Sequence, residues 1–252
     1  YQCDWSSDVC SSDLEASEAN ALTLSVGTSE VEFNGTVGGG ASGSLGAISI
    51  TGALDLNAAI TSASSLSVST TSDLGANVTT SGTQTYTGAV TLSGGTRTLT
   101  GSTITTNGTL AGGTNSLTIT GNAVFGDGTT DTVTGVNVLS VSGNTTIHTN
   151  TITTTGTQTY GDTAASDTIT LGNGTTLTTT NAQVTFNGTV NAEASEANAL
   201  TLSVGTSEVE FNGAVGGGTN GSLGAISITG ALDLNAAITS ASSLSVSTTS
   251  DL

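Results

Sequence analysis

The chain has 252 residues, of which 19 are Asp or Glu, one is Arg and none is Lys, giving a formal net charge of −18. That balance weighs against nucleic acid and anionic membrane surfaces as partners, since both need clustered cations. No run of about 18 apolar residues exists to cross a membrane as a helix.

Residues 1–14 stand apart from the rest. They hold both cysteines (Cys3, Cys10), the single Trp5 and three acids, Asp4, Asp8 and Asp13. Cys3–Leu14 resembles, along its whole length, the translation of a short-read sequencing adapter. A small disulfide or metal loop is the competing reading, but no His or further Cys lies nearby to complete it. Segment 1–14 is therefore left out of the fold as an artefact. What remains has no Cys, Trp, Met, Pro or Lys, and 16 acids against Arg97. With no initiator Met, no signal peptide and a stop in mid-repeat, the chain reads as an internal fragment of an extracytoplasmic protein.

The chain then enters a block, 15–74, that recurs as 193–252 with 57 of 60 positions identical. The differences are Thr36/Ala214, Ala41/Thr219 and Ser42/Asn220. Within the block the pattern has period two: Ala21–Val26, Glu30–Phe33, Ala47–Ile50, Leu54–Leu56 and Leu66–Val68 alternate aliphatic with small polar or acidic residues. Alternation places one apolar edge on each strand. Asn34-Gly35, Gly38–Gly40, Gly43 and Gly52 supply turns between them. No stretch carries a convincing apolar stripe at helical period, so the class is all-β.

The spacer, 75–192, repeats the same grammar more loosely. Thr79–Tyr86 recurs as Thr153–Tyr160, and Val184–Val190 echoes Val31–Val37 and Val209–Val215. A sandwich would need larger residues to fill two inner faces; Val, Ile, Leu and Ala instead suit a narrow core stacked coil on coil. Residues 15–252 are thus predicted to form one continuous parallel β-solenoid (β-helix). At about 20 residues per coil and about 4.8 Å between coils, the rod is roughly 55 Å long.

Thr83–Leu92, Val184–Val190 and Ala199–Gly213 are similar to repeats of large bacterial surface exoproteins, the filamentous-haemagglutinin-like and autotransporter-passenger proteins with β-strand repeats. The resemblance covers essentially all of 15–252. It implies a right-handed β-helix, export through an outer-membrane pore, a place outside the cell or on its surface, and a role in adhesion or biofilm. The partner implied is a glycan or protein on a host or neighbouring cell. Uncapped strand edges at both ends add an expectation of self-association.

Four aspartates are candidate Ca²⁺ ligands. Phe125-Gly126-Asp127 with Asp131, and Tyr160-Gly161-Asp162 with Asp167, resemble the glycine–aspartate turns of β-roll proteins, and carboxylates suit a hard cation. Such sites need tandem stacking, whereas these two lie far apart along the chain, so ordinary turns are the favoured reading and no cofactor is assigned. The same aspartates could act as paired carboxylates in a polysaccharide-active β-helix enzyme. His148 and Arg97 supply no triad or basic groove for it, so no catalytic residue is assigned. His148 is expected to face solvent from a strand, and Arg97 to be a surface charge or a carboxylate partner. Seven Thr-X-Thr triplets, starting at Thr98, Thr103, Thr118, Thr132, Thr151, Thr168 and Thr176, resemble the surface of solenoid ice-binding proteins. Their unequal intervals predict scatter round the rod. The leading expectation is a stiff stalk or attachment surface, with ice binding as the alternative.

Overall fold

A computed structural model describes residues 19–39, 43–128, 130–162, 166–217 and 221–251. The adapter-like segment 3–14 lies outside these residues, as do positions 41, 42, 219 and 220, where the two blocks differ. The described residues form 23 strands and no helix, and every pairing between strands is parallel. The protein is a β-solenoid of about 10 turns. At about 4.8 Å per turn its rod is roughly 48 Å long.

The coil follows directly from the alternation. Between Leu54 and Leu92, inward positions recur at an even step at Leu54, Ile60, Leu66, Ser72, Val78, Gln84 and Val90, all of them buried. Three faces with three corners complete a coil, so Leu66 pairs with Gln84 and Ser72 with Val90. Three columns of inward residues therefore run along the rod. The first face stacks Leu66, Gln84, Ile104, Ala123, Thr145, Ile169 and Val190. The second stacks Leu54, Ser72, Val90, Leu110, Val133, Ile152, Leu177, Leu202, Ile228 and Val246. The third stacks Ile60, Val78, Leu99, Ile119, Val141, Tyr160, Phe186, Phe211 and Leu234. Within it the rings of Tyr160, Phe186 and Phe211 stack with centroids 5.5 and 5.0 Å apart.

Coil length is less regular than expected. The coil from Leu66 to its partner Gln84 is short, whereas the coil from Gln158 to its partner Val184 is much longer, and the additional residues sit in the corners. This is why the rod is shorter than uniform coils would make it. In the blocks, 12-residue strands run through a corner: Leu22–Phe33 and Leu45–Leu56, then Leu200–Phe211 and Leu223–Leu234. Gly52 makes that bend at φ +142°, where a Cβ would meet Val26 Cγ2 at 2.4 Å. Only glycine fits there.

The interior is also more polar than Val, Ile, Leu and Ala alone. Gln84 and Gln158 are fully buried, and the recurring Thr-Gln-Thr-Tyr sequence builds one network twice. Gln84 Nε2 donates to Thr100 O at 2.8 Å and to Thr80 Oγ1 at 3.3 Å, while Tyr86 Oη donates to Gln84 Oε1 at 3.0 Å. Gln158 Nε2 likewise donates to Thr178 O at 3.0 Å and Thr154 Oγ1 at 3.2 Å, with Tyr160 Oη on Gln158 Oε1 at 3.0 Å. In both copies the buried amide has partners for its N–H and its oxygen, as a polar group inside the rod requires.

Two outcomes follow. Leu66 and Leu244 occupy one position of the duplicated block, yet Leu66 is 1% exposed and Leu244 41%. Leu66→Ala should cost about 2–5 kcal/mol in urea unfolding, and Leu244→Ala no more than about 0.5 kcal/mol. Burial also holds the phenols of Tyr86 and Tyr160 well above the ordinary tyrosine range. The fold therefore keeps their contribution below about pH 10 and loses it progressively above that, as the unfolded phenols ionise. Tyrosinate absorbance should show these two residues titrating only together with the loss of β-sheet circular dichroism.

Candidate functional surface

The four candidate aspartates close turns. After strand Leu117–Phe125 the chain bends at Gly126 (φ +77°), and Asp131 Oδ2 accepts the Asp127 N–H at 3.2 Å. After strand Gln158–Tyr160 it bends at Gly161 (φ +80°), and Asp167 Oδ2 accepts the Asp162 N–H at 3.0 Å. Residue 129 of the first turn and 163–165 of the second lie outside the described residues. The first turn joins the first face to the second; the second joins the third face to the first. The two pairs therefore occupy different edges of the rod and share no groove. Among the described residues, no three His, Cys, Asp or Glu gather where an ion could be held.

Arg97 and His148 both depart from expectation. Arg97 points inwards and is only 8% exposed, stacked on Leu117, with Nε donating to Ser93 O at 2.8 Å. Its guanidinium lies over the Gly94-Gly95 bend and makes no ion pair among the described residues. The long side chain fills the space that two glycines leave. His148 follows strand Thr145–Ile147 and sits at the corner, half-buried, with Nε2 and Glu193 Oε1 2.9 Å apart. Gly172 makes room for it, since a Cβ there would meet His148 Cδ2 at 2.2 Å. Neither residue lies beside a candidate nucleophile or carboxylate pair.

The threonine triplets are only partly scattered, which corrects the expectation from their spacing. Thr98–Thr100 stacks on Thr118–Thr120 on the third face, and Thr103–Thr105 and Thr168–Thr170 lie apart on the first. The other three share the second face in consecutive coils, and the rank runs on through the second block. Thr132, Thr151, Thr176, Thr201, Ser227 and Ser245 are in register, one per coil. A second row, Thr153, Thr178, Ser203 and Thr229, runs beside it. Rows of this kind repeat every ~4.8 Å along the rod and stand ~6.7 Å apart across it. None of these ten hydroxyls hydrogen-bonds to another described residue. The alignment is hidden in the sequence because coils differ in length: Thr132 to Thr151 is one coil, and so is the longer step from Thr151 to Thr176.

The blocks carry a further surface that sequence reading missed. Glu32, Asp55 and Asp73 stack in register on the second face, and their counterparts Glu210, Asp233 and Asp251 on the third. Gln183 Nε2 donates to both Glu208 Oε1 and Glu210 Oε2 at 3.1 Å. The step from Leu54 to its counterpart Leu232 is thus a whole number of coils and one additional face. Each block shows the same surface, turned by one face of the rod.

Comparison of the chain with protein-family models, curated proteins and solved structures finds no match.

Proposed function

We propose that this chain is a structural and adhesive repeat region of a large bacterial surface or secreted exoprotein, acting as a stiff stalk or attachment surface outside the cell. The observation that carries the reading is the unbroken parallel ladder from Leu22 to Asp251, in which each coil rests on its neighbours and length is set by coil number. Such a rod gains reach by duplication without disturbing its core. Two blocks turned by one face present the same acidic and hydroxyl groups in two directions, which favours attachment whichever way the rod is rolled. Its ligand would be a glycan or a neutral-to-basic protein on another cell, given the charge of −18. Displayed on a non-adherent bacterium, the chain should raise attachment to glycan- or protein-coated surfaces. Attachment equal to that of undecorated cells would remove the adhesive role and leave a spacer.

The hydroxyl rows favour a second reading, ice binding through the second face. A parallel sheet face with hydroxyls at two regular repeats can hold water in an ordered array. Under this reading the purified chain produces thermal hysteresis, and Thr176→Lys, in the middle of the array, abolishes it while leaving circular dichroism unchanged. Absence of hysteresis in the unaltered chain rejects the reading.

A further inference from the structure

Arg97 is the only Lys or Arg in a chain of charge −18, and it is turned inwards at the corner between the second and third faces, 8% exposed. Its Nε is satisfied by Ser93 O at 2.8 Å. Nη1 and Nη2 have no hydrogen-bond partner and no carboxylate within 4.0 Å among the described residues. The fully buried side-chain nitrogens and oxygens that lack a partner there are Ser72 Oγ and Thr145 Oγ1 alone, so the two terminal nitrogens of Arg97 reach solvent. A guanidinium drawn this far out of bulk water is costly until an opposite charge pairs with it.

The bend beside it carries more unused donors. Gly94 (φ +68°) and Gly95 (φ +118°) cross the guanidinium, and a Cβ on them would stand 3.0 and 3.6 Å from Nη2. With no side chain at either position, nothing from the bend covers the fork. The N–H groups of Gly94, Gly95 and Thr96 find no acceptor among the described residues. At the same corner one coil on, those of Gly112, Thr114 and Asn115 donate to Thr134 O, Gly135 O and Gly112 O. Successive free N–H groups in a turn make an anion-binding concavity. The rim is tied down on both sides, since Asn115 Nδ2 donates to Leu92 O at 2.9 Å and Ser93 Oγ to Asp73 Oδ1 at 2.6 Å.

We propose that the corner Gly94–Arg97 is a carboxylate-binding site, in which Nη1 and Nη2 of Arg97 take the two oxygens of the ligand and N–H groups of the bend add to them. This goes beyond the stalk reading and does not depend on it. The planar fork of arginine matches a carboxylate in bidentate fashion. Asp73, joined to the same corner through Ser93, repels each additional negative charge, which favours a singly charged carboxylate over phosphate or sulfate. The carboxylate belongs to a small free acid or to an acidic sugar, and the probes below separate the two.

The test is amide NMR of the full chain, titrated at constant ionic strength with acetate, glucuronate, phosphate, sulfate and, as the neutral control, glucose. Acetate or glucuronate should shift the Gly94, Gly95 and Thr96 amides and the Arg97 Nε–H saturably, with a Kd of about 1–10 mM. Tighter binding of glucuronate identifies an acidic sugar and equal binding a free acid, and either result supports the site. Arg97→Leu, which copies the Leu117 stacked on it, should keep circular dichroism unchanged and weaken binding at least about tenfold. Asp73→Asn keeps an acceptor for Ser93 and removes the repelling charge, so it should tighten binding about twofold or more. No saturable shift, equal shifts with glucose, or a preference for phosphate or sulfate over both carboxylates overturns the proposal. So does binding that survives Arg97→Leu, or an Asp73→Asn variant that binds no tighter than the unaltered chain.

Discussion

Everything in this rod depends on parallel stacking of short strands. A strand as short as Val78–Thr80 has little to hold it alone, because its few backbone hydrogen bonds do not offset the entropy of fixing it. Placed between similar neighbours, it is paired on both edges, and its inward residues drop into a column of similar ones. The Val, Ile and Leu columns are therefore cause as much as consequence: apolar burial aligns the coils and the ladder keeps them aligned. The aromatic stack of Tyr160, Phe186 and Phe211 shows how local the condition is. There three successive coils each bring a ring to the same position, whereas Tyr86 is buried between Val68 and Thr106.

Stacking also explains what the corners tolerate. Additional residues placed between faces lengthen the coil from Gln158 to Val184 well beyond the one from Leu66 to Gln84 without disturbing any column. The corners therefore absorb insertions while the faces hold register. They are where the turn carboxylates of Asp131 and Asp167, the His148–Glu193 pair and the buried guanidinium of Arg97 all lie. Each of these groups completes a bend. The buried glutamines act from the inside, donating amide protons to the backbone carbonyls of Thr100 and Thr178.

The duplicated block separates intrinsic from contextual properties. Its two copies fold into the same strands, yet Leu202 is fully buried while Leu24 is half-buried, and Leu66 is buried while Leu244 is exposed. Sequence sets which edge of a strand is apolar; neighbouring coils decide whether that edge is covered. The one-face turn between the blocks is likewise contextual: it is set by the number of strand faces that lie between the two copies. It sends identical surfaces in two directions.

The residues by themselves determined a great deal. Period-two alternation with glycine and asparagine turns specifies short strands, and scarce aromatics with small aliphatics specify a narrow stacked core. The echo of Thr79–Tyr86 in Thr153–Tyr160 marks a recurring unit, whose buried network takes shape only in the folded rod. Which coil rests on which was decided by tertiary structure alone. Thr132, Thr151, Thr176 and Thr201 stand at unequal intervals in sequence yet form one rank, because spacing along the chain counts corner residues and spacing along the rod does not. The same separation hid the stacked acids of each block and turned Arg97 inwards, where its glycine-lined bend left a space. Local side-chain pattern fixes a strand and its inner edge; register between strands a whole coil apart is a property of the assembled stack.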